Sequence, residues 1–529
     1  MAKKISAYLY CLAIVLNSSF VIAQNEKCGT FREVDRHWKN KLSKTDRVLV
    51  SRPVRDTSTL TSNNKIRIHF DITGNNQPAM VDAAGNRIPN SYKQYIDTLR
   101  SILDSVWNAE IETYNFNAPP ADSGRGGGDE YDFYITNFND GTFGITNIED
   151  DLPVGPAKPN QQYATFIEMD NDFGVGYRTK GIPALMATSA HEFHHAIQVG
   201  GSGVWENEFF YFYEICAEAM ENTVFNDAKD YIFDVKTYFA NISSTPLFQR
   251  RIDFNTAGYE RAIWGMFLMK KFGTAIMKEI WEEIKNHRPV QASSNALNTF
   301  ATSLEREFAD FTYWNFFTGY RADVAKYYTD AGLFPTVSLI RSINVSGVKQ
   351  DVQITTKSFT ANYIKARMIT DSAFVIVSNT NFTDAVNYSQ QTFPFQLSFT
   401  SSSSSGLPAI SNSIFAKFYV DNFLDWSYTA IGTPTVPFCF PNPLNPNSSS
   451  LLIALQGVQS NSYATLNIFS ASSMDLIYSG NPSFKFFSGI QYAEWNGRDN
   501  NGAIVSSGVY LFVLSNGMVS HKGKFAVLR

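Results

Sequence analysis

One stretch, Ala190-His191-Glu192-Phe193-His194-His195, limits what this 529-residue chain can fold into more than any other. The residues around it read as a helix from about Pro183, suited to a first turn, to Val199, with a stop at Gly200-Gly201. On a helix, His191 and His195 leave one face about one turn apart. Two imidazoles so placed can reach a single zinc ion with bonds of about 2.0–2.1 Å. Glu192 is rotated by about 100° from His191, which brings its carboxylate beside the ion without ligating it. A carboxylate there can take a proton from a metal-activated water and return it to a departing amine. With seven His and 49 acidic residues, the pattern His-acid-x-x-His arises by chance on the order of 0.01 times. His37, His69, His287 and His521 fit ordinary surface or satisfied core roles, whereas the cluster does not. His194 points off the metal face and suits a supporting role.

A catalytic zinc needs a third protein ligand and one open position. Glu214, Glu218 and Glu221 recur at helical spacing in a stretch of about 206–224 that also carries Phe209, Phe210, Tyr211, Phe212 and Tyr213. A solvated acidic face is the competing reading, but so apolar a helix is expected to bury at least one carboxylate, which then needs a partner. Glu214 is the expected ligand, with Glu218 one turn later orienting a ligating imidazole. Glu218 as the ligand is the alternative. Cys28, in Lys27-Cys28-Gly29, reads either as a small buried hydrophobe or pairing partner, or as an inhibitory thiolate capping the metal.

Composition removes other classes. There are 44 basic and 49 acidic side chains, a net charge of −5, so the footprint of a nucleic-acid binder is missing. Hydrophobic content of 44% with 15% aromatics excludes a mainly disordered chain. Lys3 and Lys4, the apolar run Ile5 to Leu16 and Val21-Ile22-Ala23 read as a secretory signal over residues 1–23. That run is shorter than the roughly twenty residues a membrane span requires, and no other long uncharged run follows, so a soluble exported protein with no membrane span is expected. Cys28, Cys216 and Cys439 are too few for a disulfide framework.

Residues 24–60 read as an N-terminal extension. Over 61–335 the pattern is mixed: Ile66, Ile68 and Phe70 alternate as in a strand, and Ile96, Leu99, Leu103 and Val106 recur as on an amphipathic helix. Strand-like runs follow at 131–135 and 164–169, and helical stretches at 259–272 and 274–286. The loop Gly124 to Gly128 lacks the Gly-Lys-Ser/Thr ending of a phosphate cradle. Residues 336–436 turn β-rich, with a linker-like tract Ser401 to Ser405. Residues 437–529 read as a small β-sandwich in which Asn500-Asn501-Gly502 signals a hairpin turn between two strands.

His191-Glu192-x-x-His195, with Glu214 and then Glu218 one turn beyond it, resembles the zincin metallopeptidases of the gluzincin type. Ile66-Arg67-Ile68-His69-Phe70, Tyr131-Asp132-Phe133-Tyr134-Ile135, Met169-Asp170-Asn171-Asp172-Phe173 and His191 to Gln198 resemble, over about residues 50–290, a family of exported bacterial metallopeptidase-like proteins. The resemblance implies an α+β zincin-like catalytic domain (a mixed sheet plus the zinc-site helices) followed by two all-β, sandwich-like domains. It departs at Asp82 to Asn90, where Ala84, Arg87 and Asn90 remove oxygen ligands or add charge, which argues against calcium there. Tyr259, in Gly258-Tyr259-Glu260-Arg261-Ala262, resembles a Tyr-bearing helix of some gluzincins that stabilises the transition state. An ordinary core or surface aromatic is the alternative. Trp495-Asn496-Gly497-Arg498-Asp499-Asn500-Asn501-Gly502 and Gly508-Val509-Tyr510 resemble the Ig-like module related to flagellar-hook assembly proteins. Pro441-Asn442-Pro443-Leu444-Asn445-Pro446 is similar to the entry of C-terminal sorting modules read by the type IX secretion system, which implies the secretion machinery as a partner and a secreted or cell-surface location. An accessory β-domain without export role fits the same residues.

The expectation is therefore a secreted zinc-dependent metallo-endopeptidase acting on protein or peptide substrates. His191, His195 and Glu214 hold one catalytic Zn2+, Glu192 is the general base and Tyr259 the second catalytic residue. The alternative is a non-catalytic adhesion or scaffold protein of the cell surface on a zincin fold. Zinc used only structurally would need a fourth protein ligand, and Cys216, about 200° round the helix from Glu214, is poorly placed for it.

Overall fold

The structure, a computed structural model, describes residues 27–43, 48–252, 257–344, 350–367, 372–379, 392–399, 410–411, 415–420, 423–429, 439–455, 464–471, 473–487, 490–515 and 520–529. The signal segment 1–23, the Ser401 to Ser405 tract and the boundary at Pro437 lie outside the described residues. The chain is a mixed α/β protein of several sheets and helices.

The site rests on one five-stranded sheet. Alternation at Ile66, Ile68 and Phe70 buries one face of β2 (Ile66–Phe70), which pairs parallel with β3 (Tyr131–Thr136). Residues Tyr131 to Ile135 are all buried, as expected of a strand covered on both faces. β5 (Gln162–Asp170) runs parallel to β3, while β1 (Thr57–Leu60) and β4 (Gly144–Val154) complete the sheet antiparallel, in the order β1-β2-β3-β5-β4. β4 has no counterpart in the sequence reading, because Glu149-Asp150-Asp151 and Pro153 interrupt its apolar pattern. Its position explains the composition: it ends the sheet, and its pairing with β5 shifts register between Ile148 and Pro153, where a proline donates no ladder bond.

Helix α1 (Thr30–Leu42) packs on β4, and α2 (Tyr92–Trp107) buries Ile96, Leu99, Leu103 and Val106. The histidine-bearing α3 (Gly181–Ser202) lies across β4 and β5 and packs against α2 and α4 (Tyr211–Val224). Gly200 and Gly201 do not stop α3, which continues to Ser202. The stop is Gly203, at φ +86°, where a Cβ would fall 1.8 Å from the Asn160 carbonyl oxygen. A separate 3-10 turn, Asn207–Phe209, precedes α4, and another, Tyr259–Arg261, precedes the helix Ile263–Phe272.

The strands after residue 335 share the helices' core: Phe359, Tyr363, Phe374 and Ile376 pack with Phe308 and Phe311, and the Tyr363 hydroxyl donates to the Thr312 carbonyl at 2.6 Å. Beyond residue 438, two four-stranded antiparallel sheets close on their own core of Leu466, Trp495, Phe512 and Phe525. The Asn500-Asn501-Gly502 turn closes a single antiparallel bridge, Arg498 with Ile504, and does not join two longer paired strands. It lies between Ile490–Trp495 of one sheet and Gly508–Ser515 of the other, tightened by Asp499 accepting the Asn501 and Ala503 amides. Among the described residues, no helix is long and apolar enough to cross a membrane.

Asp150 on β4 docks α1. It accepts from Arg36, from His37 Nδ1 at 2.5 Å and from Asn40 at 2.8 Å, while Arg36 also donates to the Ile148 carbonyl at 2.6 Å. Burial pushes the Asp150 carboxyl upward, but His37 and Arg36 outweigh it and hold the group below its ordinary value. A carboxyl depressed in the fold stabilises it at neutral pH, and that contribution disappears as pH falls below about 4. Asp150→Ala is expected to cost about 1–3 kcal/mol in urea unfolding at pH 7, with the difference from the parent shrinking progressively as pH is lowered below about 4.

Candidate metal centre

Helix α3 carries His191, Glu192, His194 and His195 into the interior, each 1% exposed or less. The helical spacing turns both imidazoles to one side, with their Nε2 atoms 3.1 Å apart. Glu214, on the first turn of α4, places Oε2 at 3.1 Å from His191 Nε2 and 3.2 Å from His195 Nε2. Three donors thus form a nearly equilateral triangle. A tetrahedral ion with bonds of about 2.0–2.1 Å needs donor separations of about 3.3–3.4 Å, so this triangle is close to one face of such a tetrahedron. Two imidazole nitrogens and a carboxylate oxygen converging in the buried interior fit a divalent cation, and the donor set suits zinc. Burial alone would raise the Glu214 carboxyl; His195 and His191 bring it down to about 2. Burial pulls His191 down, and contacts with Cys28, Glu214, Glu218 and Glu221 raise it well above an ordinary histidine.

The outer nitrogens of both imidazoles are held. His195 Nδ1 lies 2.7 Å from Gln198 Oε1, and Gln198 in turn donates to the Tyr213 carbonyl at 3.1 Å. His191 Nδ1 is 2.8 Å from Glu221 Oε1 and 3.5 Å from Glu218 Oε2. Glu221, not the expected Glu218, is therefore the nearer orienting acceptor. Such partners fix ring direction and raise ligand basicity. Behind them, the Lys27 ammonium sits between Glu218 at 2.9 Å, Glu221 at 2.5 Å and Asp230 at 2.5 Å. Burial lowers Lys27, but Asp230, Glu218 and Glu221 together raise it well above its ordinary value, so the ammonium stays charged. Burial, reinforced by Glu221, pushes the Glu218 carboxyl upward.

Glu192 Oε2 accepts from the Thr146 hydroxyl at 2.8 Å and the Thr30 hydroxyl at 2.9 Å. The close approach of β4 to α3 depends on Gly144: a Cβ there would lie 2.7 Å from Glu192 Cγ and 2.8 Å from Thr188 Cγ2. The Tyr259 hydroxyl donates to Glu214 Oε1 at 3.3 Å, bringing the tyrosine to the ligand carboxylate. His194 faces away from the cluster onto Glu110, with Nδ1 at 2.8 Å from Oε2. Burial lowers His194 and raises Glu110, so both fully buried groups are pushed toward their neutral forms. Glu110 lies on a single π-helical turn, Asn108–Thr113, that continues α2. In the Asp82 to Asn90 loop, Asp82 accepts the Ala84 and Asn86 amides at 2.9 Å each, and Arg87 pairs with Asp172 at 2.6 Å.

The structure thus brings His191, Glu192, His195, Glu214 and Tyr259 together. Cys28 joins them: its sulfur and donor atoms of His191, His195 and Glu214 all lie within 4.8 Å of one another. Sequence reasoning did not reach Lys27, Thr30, Thr146 or Gln198. Gln198 carried a readable signal, one turn beyond His195 on the same helix; Lys27 and Thr30 flank Cys28 but are not metal-ligand types, and Thr146 comes from a segment with no metal pattern of its own.

No family model matches the chain, and neither does any curated protein. Among solved structures, one similarity is to PorZ, described as an essential bacterial surface component of the type-IX secretion system of Porphyromonas gingivalis, at 17% identity and a TM-score of 0.15. It covers 32% of this chain and 23% of that one.

If Glu221 orients His191, Glu221→Ala should weaken zinc affinity by about 10–100-fold, and by more than Glu218→Ala does. Competition against a chromogenic chelator measures both, and equal losses would remove the distinction.

Proposed function

We propose that the protein is a zinc-dependent endopeptidase acting on protein or peptide substrates. The observation that carries this reading is the donor triangle of His191, His195 and Glu214 with the Glu192 carboxylate beside it. Those three residues would hold the ion, and a bound zinc supplies Lewis acidity that polarises a scissile carbonyl and makes water acidic near neutral pH. Glu192 serves as general base and then returns the proton to the departing nitrogen. Thr146 holds the Glu192 carboxylate in place, and Tyr259, whose hydroxyl now donates to Glu214, supplies a donor for developing negative charge. Gln198 and Glu221 keep both ring nitrogens turned inward.

The wider family reading, an exported zincin of the gluzincin type, rests on the motif residues and on the strand, helix and turn segments that resemble it. Lys3, Lys4 and the run Ile5 to Leu16 support export, and the Trp495 to Gly502 and Gly508 to Tyr510 segments support a C-terminal sorting module at the cell surface. A second reading, a closed structural zinc site, draws support from Cys28 as a fourth donor.

Zinc content and cleavage of an unstructured protein substrate test the peptidase reading together. Glu192→Gln should keep one zinc per chain and lose about 10²–10⁴-fold in turnover. A variant that cuts as fast as its parent would remove Glu192 from the mechanism. Because imidazole ligates only when neutral, both zinc and activity should fall away below about pH 5–6. Full activity at pH 4 would contradict the ligand set.

A further inference from the structure

Lys27, Cys28, Gly29 and Thr30 precede α1 and lie far from α3 in sequence, with 162 positions between Thr30 and Glu192. Each nevertheless makes its own contact in the centre. The Cys28 sulfur sits within 4.8 Å of a donor atom of each of the three ligands. The Thr30 hydroxyl donates to Glu192 Oε2. The Lys27 ammonium fills the space between Glu218, Glu221 and Asp230. The backbone is bound as well: the Phe143 amide donates to the Lys27 carbonyl and the Gly29 amide to the Gly144 carbonyl, both at 2.8 Å, so Cys28 adds a parallel bridge to the free edge of β4. Gly29 is needed for this seating, since a Cβ there would lie 2.5 Å from Ile145 Cγ1. Lys27, Cys28 and Thr30 are all 4% exposed or less.

A working hydrolytic zinc site needs an open coordination position and a base whose lone pairs are free. This segment places a sulfur beside the three donors and a hydroxyl on one oxygen of the Glu192 carboxylate. A purely structural zinc would account for the sulfur, but not for a second residue of the same segment on the base or for a strand-like backbone along the edge that faces α3. Resting on the peptidase reading, we infer that Lys27–Thr30 is an internal inhibitor: it lies in the substrate path along β4, offers the Cys28 sulfur to the ion and the Thr30 hydroxyl to Glu192, and keeps the folded chain latent until it is displaced. On coordinating, the Cys28 thiol gives its proton to solvent; no bond of the chain breaks and nothing is oxidised. Lys27, tied to three carboxylates, and α1, docked on Asp150, hold the segment in place.

The test uses the full chain loaded with cobalt in place of zinc, alongside Cys28→Ser and Gly29→Ala. The parent should show a thiolate-to-cobalt charge-transfer band that Cys28→Ser lacks. Titration with acetohydroxamate, followed in the visible spectrum, should give at least ten-fold tighter binding in both variants than in the parent, with metal content unchanged. The zinc forms of both variants should cleave an unstructured substrate at least ten-fold faster. Variants that keep their metal but bind the hydroxamate no more tightly would overturn the inference, as would loss of metal in Cys28→Ser with no gain in Gly29→Ala. Tighter hydroxamate binding with no cleavage by any form leaves the inhibitor standing and overturns the peptidase reading instead.

Discussion

The centre is made of ionic groups taken out of water, and their need for partners organises what surrounds them. An unpaired buried carboxylate is among the most costly groups a fold can contain. Glu214 finds two imidazoles, and Glu218, Glu221 and Asp230 find one ammonium, with Arg178 adding a second cation on Asp230 at 2.8 Å. The partners come from α3, from the residues before α1 and from the segment before α3. Closing this charge network therefore draws together parts of the chain that lie far apart in sequence.

β4 is the element through which the distant pieces meet. Its outer edge receives the backbone of Lys27 to Gly29, its Thr146 holds Glu192, and its Asp150 anchors α1. An edge strand is suited to this, since its unpaired amides and carbonyls need a cover. The same strand has little sequence signal. One of the acidic residues that break its apolar pattern, Asp150, is the group that binds Arg36, His37 and Asn40.

What was legible followed periodicity. The spacing of His191 and His195 predicts two donors on one face, and the Nε2 atoms meet at 3.1 Å. Glu214 was legible for a related reason: a carboxylate on a helix crowded with Phe and Tyr must turn inward and find a cation. The buried residues of α2 were readable from their three- and four-residue spacing. Glu218 and Glu221 could not be ranked in this way. Both lie within reach of His191 Nδ1, and their order depends on side-chain rotation against Lys27, a residue about 190 positions away. The end of α3 was misplaced because Gly200 and Gly201 remain helical; termination occurs at Gly203, where the chain must pass against the Asn160 carbonyl.

The donor types, their helical spacing and the acid beside them are readable along the chain, because they follow from the 3.6-residue period and from the chemistry of imidazole and carboxylate. Long-range packing brings Lys27 and Thr30 into the same centre, turns Cys28 from one of several readings into a neighbour of the donors, makes Glu221 the nearer support for His191 and covers the edge of β4. Those outcomes depend on which buried charges find each other across the fold, and no local pattern in the chain encodes that pairing.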